Sequence, residues 1–283
     1  MQIPGLRHDY PTINGIRMHV TSAGKGEPVL FLHGFPESWY SWRHQLSALQ
    51  GQYHVFAPDL RGYNQTENNG PYDTDTLRAD VSALIEYIGG PVHLVAHDWG
   101  AAIAWLVAIH EPHLLKSLTI CNVPHPAVFR VGLRNPRQLF RSWYIFFFQL
   151  PWLPERMLAA RNYHNLARGI IRDCRPGTFS REDVKAMLAG WRQQGLGGGI
   201  NWYRAVFRQR IPLPNPVPII EVPTLMVWGE NDRALGKELT NGTDDYVADL
   251  DLHYVPNTSH WVQQEEPELV TSLIRRHLVR TSA

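Results

Sequence analysis

The chain has 283 residues, 44% of them hydrophobic and 19% charged, enough for one large globular domain or for a core carrying a sizeable insertion. Lys and Arg total 27 against 26 acidic residues, so a formal net charge of +1 offers no electrostatic case for a nucleic acid or an anionic membrane as partner. Two cysteines, Cys121 and Cys174, make no disulfide framework and carry no metal-ligand spacing. The opening Met1-Gln2-Ile3-Pro4-Gly5 lacks the basic and then apolar run of a secretory signal, so a cytoplasmic location is expected.

From the N-terminus, Arg17 to Ala23 and Pro28 to Leu32 read as successive strands around a Gly24-Lys25-Gly26 turn. Ser38 to Leu49 has helical spacing, and His54 to Pro58 is the next strand. Thr74 to Ile88 repeats Leu77, Val81, Leu84, Ile85 and Ile88 along one face, the stripe of an amphipathic helix. His93 to His97 reads as a buried strand, and Gly100 to His110 as a helix with almost no polar residue, which therefore lies inside the protein. Ser117 to Cys121 is one more strand. This alternation predicts an α/β fold with a mainly parallel sheet.

The rhythm breaks at Val123-Pro124-His125-Pro126, and only helical patterns follow to about Asn215. The most apolar stretch, Trp143 to Leu153, is about half a membrane span. Gln149 and Pro151 interrupt it, and it reads as a buried or substrate-facing segment. Ser180 with Asp183 predicts a capping box for a helix through Trp191, ended by Gly195 to Gly199, with another helix over Asn201 to Arg210. Four prolines from Pro212 to Pro218 make a stiff return linker. Strands at Thr224 to Trp228 and Asp251 to Val255 and a closing helix from Pro267 to Val279 resume the α/β pattern. The expected division is a core of residues 1–123 and 217–283 around a helical insert of residues 124–216. The chain is also rich in aromatics, many of them between 129 and 207, which either fill a core or line an apolar pocket.

Four short segments carry chemistry. In Ala96-His97-Asp98-Trp99-Gly100-Ala101 a buried strand runs straight into a buried helix, with small residues around Asp98. That is the pattern of a sharp turn lifting one side chain into a pocket, with Asp98 in the nucleophile's place at a helix N-terminus. Alone, the same residue could merely cap the helix. The loop His33-Gly34-Phe35-Pro36 follows a strand and can aim the Phe35 N–H at the elbow, forming an oxyanion hole with the N–H of Trp99. Asp232 lies in Trp228-Gly229-Glu230-Asn231-Asp232-Arg233 at the end of a late strand, and His260 follows the last one. The chain order nucleophile, acid, His is that of a catalytic triad on this kind of fold, with Asp232 orienting His260.

On these residues the sequence resembles the α/β-hydrolases and, within them, the epoxide hydrolases, from Arg17 to the C-terminus. Asp59-Leu60-Arg61-Gly62-Tyr63 matches a turn that many members carry, although Asn64-Gln65-Thr66 replaces the usual Gly-x-Ser. The resemblance implies a mainly parallel eight-stranded sheet flanked by helices, with the insert as a cap over the active site. His33, Phe35, Pro36 and Trp99 are then expected around the substrate pocket.

An Asp nucleophile forms an ester with an alkyl carbon, which selects epoxides or alkyl halides as substrates. Haloalkane dehalogenases often have Trp after the nucleophile, as Trp99 is here, but many have Asn where this chain has Phe35. Epoxide hydrolases place two cap tyrosines on the epoxide oxygen, resembled here by Tyr144 and Tyr203. The implied reaction needs no metal or organic cofactor. Its partners are a small apolar epoxide and water. A haloalkane dehalogenase, or an idle ligand-binding α/β-hydrolase, is the alternative.

Overall fold

A computed structural model describes residues 3–209 and 211–282. Met1 and Gln2, where the reading of the N-terminus begins, and Arg210, the expected end of a helix, lie outside the described residues.

Eight strands form one sheet: β1 (Arg7–Asp9), β2 (Val20–Ala23), β3 (Pro28–Leu32), β4 (His54–Pro58), β5 (Val92–His97), β6 (Leu115–Cys121), β7 (Thr224–Gly229) and β8 (Leu250–Val255). Their order is β1-β2-β4-β3-β5-β6-β7-β8. β2 runs antiparallel to both its neighbours, and every other pair is parallel. The central strands are buried along nearly their whole length because helices cover both faces. Period-two geometry sends Val29 and Phe31 of β3 into one core layer, with Leu46, Leu273 and Ile274. Leu30 and Leu32 enter the other, with Leu77, Leu84 and Ile103. The expected strand Arg17 to Ala23 is split: Arg17 closes a small hairpin, Thr12–Ile13 with Ile16–Arg17, and β2 starts at Val20. β1 escaped the sequence reading because all three of its residues are exposed, so it shows no buried alternation.

Before the insertion come α1 (Arg43–Leu49) on one face of the sheet and α2 (Thr74–Ile88) and α3 (Asp98–His110) on the other. The Asp73 carboxylate accepts from the Thr76 amide to cap α2, and Gly89 ends it at φ 107°. Its buried stripe of Leu77, Val81, Leu84 and Ile85 stabilises the packing by roughly 1.5–3 kcal/mol per side chain. α3 is buried all round from Ile103 to Ile109 and leads directly out of β5.

Between β6 and β7 the elements found among the described residues are helices, α4 (Pro126–Gly132), α5 (Pro136–Arg141), α6 (Trp143–Phe147), α7 (Leu153–Ala159), α8 (His164–Asp173), α9 (Arg181–Gln194) and α10 (Gly197–Gln209), followed by an irregular return with one bridge at Ile220. The capping box is present, Ser180 Oγ accepting from Asp183 N at 3.1 Å and Asp183 Oδ2 from Ser180 N at 2.9 Å. Gly195 ends α9, but Gly197 to Gly199 open α10 rather than separating two helices. A Cβ on Gly198 would stand 2.6 Å from the Gly62 Cα, and one on Gly199 would stand 2.7 Å from Phe35 Cδ2 and the Tyr63 hydroxyl. The glycines let α10 lie directly on the loops that carry Phe35 and Tyr63. The segment from Trp143 divides its side chains: Tyr144, Phe147 and Phe148 line a cavity, Phe146 is 49% exposed, and Trp143 does both, lining the cavity while 59% exposed. The short α11 (Val262–Glu265) and closing α12 (Pro267–Thr281) follow β8.

Candidate active site

Asp98 sits at the junction of β5 and α3 with φ 48°, a backbone conformation that non-glycine residues seldom adopt. Two glycines make room for it. A side chain on Gly34 would collide with that of Asp98, and a Cβ on Gly100 would stand 2.6 Å from the carbonyl oxygens of Leu32 and His33. The Phe35 amide donates to Asp98 Oδ1 at 2.6 Å. Trp99 is in the first turn of α3, where amides have no intrahelical acceptor. Burial pushes the Asp98 carboxyl up, but hydrogen bonding and attraction from His260, with His97 and the Phe35 amide, outweigh it and hold the group below its usual value. It is an anion in the resting site.

His260 bridges the two carboxylates. Its Nε2 lies 3.3 Å from Asp98 Oδ2, and its Nδ1 is 2.7 Å from Asp232 Oδ2. Burial lowers the pKa of His260, but Asp232 and Asp98 more than reverse this and raise it well above the ordinary value. Asp232 is fixed by a full set of donors. Oδ1 accepts from the amides of Ala234 and Leu235, each at 2.8 Å, and Oδ2 from Asn122 Nδ2 at 2.8 Å as well as from His260.

Three supporting residues were not found from the sequence. Asn122, immediately after β6 at φ 54°, also accepts from the Gly229 amide at 3.0 Å, tying the end of β6 to the loop that carries Asp232. An Asn at a strand end just before the proline break is the signal that could have marked it. The other two are His97 and Glu37, both buried beside the triad. His97 Nε2 donates to the His260 carbonyl at 2.9 Å, and its Nδ1 lies 2.8 Å from Glu37 Oε2. Gln264 Nε2 donates to Glu37 Oε1 at 2.6 Å. His97 lies inside the elbow segment and Glu37 directly follows the His33 to Pro36 loop, yet only the fold brings them together.

Two cavities meet at Asp98. One, of about 700 Å³, is almost wholly apolar, walled by Trp99, Val123, Phe129, Ile145, Val206 and Leu235. The other, of about 1560 Å³, is lined by Phe35, Pro36, Phe147, Phe148, His260 and Trp261 on its inner side. Asp98, Tyr144 and Tyr203 line both. The two tyrosine rings meet edge to face with centroids 5.9 Å apart, and Tyr203 packs on Trp99 at 4.9 Å and on Phe148 at 4.9 Å. Burial, then the nearby Asp98 carboxylate, raises both phenols well above their usual value, so they stand as O–H donors. Of the residues expected around the pocket, Phe35, Pro36 and Trp99 line it. His33 does not. It is fully buried behind the loop, its Nε2 accepting from the Leu60 amide at 3.0 Å and its ring packed on Tyr63. The turn after Tyr63 forms despite its altered sequence. Asn64 takes φ 46° and donates to Asp59 Oδ2 at 2.8 Å, while Thr66 Oγ1 donates to the Asp59 carbonyl at 2.6 Å.

Comparison with known proteins agrees with this architecture. Residues 27–267 match the α/β hydrolase fold family. Human "Epoxide hydrolase 4" is 40% identical over 278 residues, spanning 92% of this chain and 75% of that protein. "AB hydrolase superfamily protein YfhM" of Bacillus subtilis is 38% identical, over 97% of this chain and 98% of its own. Among solved structures, an epoxide hydrolase of Bacillus megaterium superposes with a TM-score of 0.89 at 31% identity, covering 95% of this chain and 99% of that one. An epoxide hydrolase of Vigna radiata gives 0.85 at 31% identity, covering 99% and 100%. With strand order, elbow and sequence in agreement, the chain belongs to the α/β-hydrolase fold family and, within it, to the epoxide hydrolases.

Proposed function

We propose that this enzyme converts an epoxide and water to a vicinal diol through a covalent alkyl ester on Asp98, with residues 1–123 and 217–283 as the catalytic core and residues 124–216 as the cap. One observation carries the reading: a half-buried carboxylate anion, Asp98, and two phenol O–H groups, buried Tyr203 and half-buried Tyr144, line the same two cavities. That combination suits opening of a strained ether. The carboxylate attacks a ring carbon, the C–O bond breaks, and Tyr144 or Tyr203 gives its proton to the departing oxygen.

The proton balance supports the same sequence. Ring opening consumes one proton, and the resting His260, held between two carboxylates, carries one that can return to the phenolate. Esterification of Asp98 removes one of those two charges, so the pKa of His260 falls and the neutral imidazole becomes a base. It takes a proton from water, whose oxygen attacks the ester carbonyl carbon while Asp232 stabilises the imidazolium. The Phe35 and Trp99 amides stabilise the tetrahedral oxyanion. Collapse breaks the bond between the enzyme's carbonyl carbon and the alkyl oxygen, which takes the proton of the added hydroxyl, so the diol leaves with its own C–O bonds intact and the Asp98 carboxylate returns beside protonated His260. None of these steps calls on a metal or cofactor. The substrate is a small or medium-sized apolar epoxide, and the even overall charge gives no reason for a nucleic-acid partner. A cytoplasmic location is part of the same reading. Among the described residues no helix is long and apolar enough to cross a membrane.

Styrene oxide and a chloroalkane of similar size test the choice of substrate. The reading expects diol from the first, no chloride from the second, and loss of the first reaction in Tyr144→Phe/Tyr203→Phe. Chloride release, or diol formation untouched by the double substitution, contradicts it.

A further inference from the structure

The near-neutral charge of the whole chain conceals a sharp division. Fifteen of the 27 basic side chains but only four of the 26 acidic ones lie between residues 124 and 216. That segment carries a formal +11 and leaves −10 on the rest. Among the described residues, the same segment holds ten of the sixteen large hydrophobic side chains that are exposed, including every exposed Phe and Trp. Exposed Leu139 and Phe140, the latter at 80%, lie in the last turn of α5, and Trp143 and Phe146 follow at one-turn spacing on α6. Phe146 meets Phe207 of α10 edge to face at 5.9 Å, so the patch joins separate helices. Trp152 is exposed with the Arg156 guanidinium 5.6 Å from its ring centroid. Exposed Arg134 and Arg137 flank the patch on the α5 side.

We propose that this cap face docks on an anionic lipid surface, with Phe140, Trp143, Phe146 and Phe207 entering the headgroup boundary and the arginines against lipid phosphates. Aromatic side chains rimmed by Arg are the composition of interfacial membrane-binding surfaces, and an exposed apolar patch of this extent is unusual on a free surface. Two features favour lipid over the other occupants. A second copy seated cap to cap would bring two segments of +11 together. The patch is also continuous with the cavity mouth, because Trp143 and Met157 are both exposed and line the larger cavity that reaches Asp98. An apolar epoxide dissolved in the bilayer then has an entrance that opens where it is concentrated. That last consequence rests on the proposed epoxide reaction, whereas the docking does not. The proposal replaces the expectation, drawn from total charge alone, that an anionic membrane is no partner.

Vesicle flotation tests it without any turnover. The protein is expected to float with vesicles of roughly one part phosphatidylglycerol to two parts phosphatidylcholine and to ignore pure phosphatidylcholine. Raising the salt from about 0.1 M to about 1 M shortens the screening length from about 10 Å to about 3 Å and should release it. Leu139→Ser/Phe140→Ser and Arg134→Glu/Arg137→Glu lie outside the catalytic machinery. Each should weaken binding by at least about tenfold, since each basic residue near the surface matters severalfold, while hydrolysis of styrene oxide in water stays unchanged. Absence of wild-type flotation, flotation that neither pair of substitutions weakens, or self-association through this face in light scattering without vesicles overturns the proposal. Failure of styrene oxide hydrolysis with intact flotation would instead overturn the epoxide reading alone.

Discussion

The sheet and the cap place their functional groups by different physics. Asp98, Asp232 and His260 stand at the ends of strands and are oriented by hydrogen bonds: Asp232 alone accepts four. Tyr144 and Tyr203 are held instead by rings, Phe35, Trp99 and Phe148 among them. Directional bonds fix a reacting atom closely, which suits a nucleophile and its base. Ring packing leaves an apolar wall in which two O–H groups are the exceptions, which suits a substrate with one polar atom. On the proposed reaction, bond making falls to the core and substrate choice to the cap.

Substitutions can break this comparison on either side, and the core side should break hardest. Asp98→Ala removes the nucleophile and is expected to lower diol formation by roughly 10⁴-fold or more. Next comes His260→Gln, which should still open the ring but lose general-base hydrolysis, worth roughly 10²–10⁴-fold. Intact-protein mass should then show the alkyl ester accumulating. On the cap side, Tyr144→Phe or Tyr203→Phe alone leaves one O–H donor, so a loss of about 10²-fold is expected in single-turnover ring opening. Ester hydrolysis should be nearly unchanged, and an equal loss in both steps would contradict the division of labour.

Smaller effects sharpen the picture. Asn122→Ala leaves one Asp232 oxygen with a donor fewer and the Gly229 amide unpaired, a destabilisation of about 1–3 kcal/mol in urea unfolding. The subtlest effect is on pH. Burial lowers the pKa of His260, and the two carboxylates raise it past its ordinary value. Its stabilising contribution is therefore complete below the unfolded value of 6.5 and fades as pH rises through the folded one. Asp98→Asn removes one carboxylate, so the imidazole titration followed by NMR should move to lower pH, as in the proposed ester intermediate.

The same contrast explains what could be read from the sequence. The elbow was legible because Gly34 and Gly100 are required by steric contact with Asp98 and the His33 loop, so a local pattern reports a local constraint. Asn122, Glu37 and His97 were not, because their partners lie far along the chain and nothing nearby demands them. In the cap, the capping box at Ser180 was legible, whereas the run Gly197 to Gly199 was misread as a break. Its purpose is close approach to Gly62 and Phe35, a tertiary fact. The expected pocket residue His33 stands behind its loop instead, because its Nε2 is held by the Leu60 amide, a partner 27 residues along the chain. Total charge also hid the polarity between the core and the inserted segment.

The covalent role of Asp98 is the central claim. A single turnover on styrene oxide in water enriched in oxygen-18, with enzyme in excess, tests it most directly. The account predicts an unlabelled first diol and oxygen-18 in the peptide containing Asp98, because water attacks the enzyme's carbonyl carbon. Label in that first diol, with none in Asp98, would mean that water opens the ring directly and would contradict it.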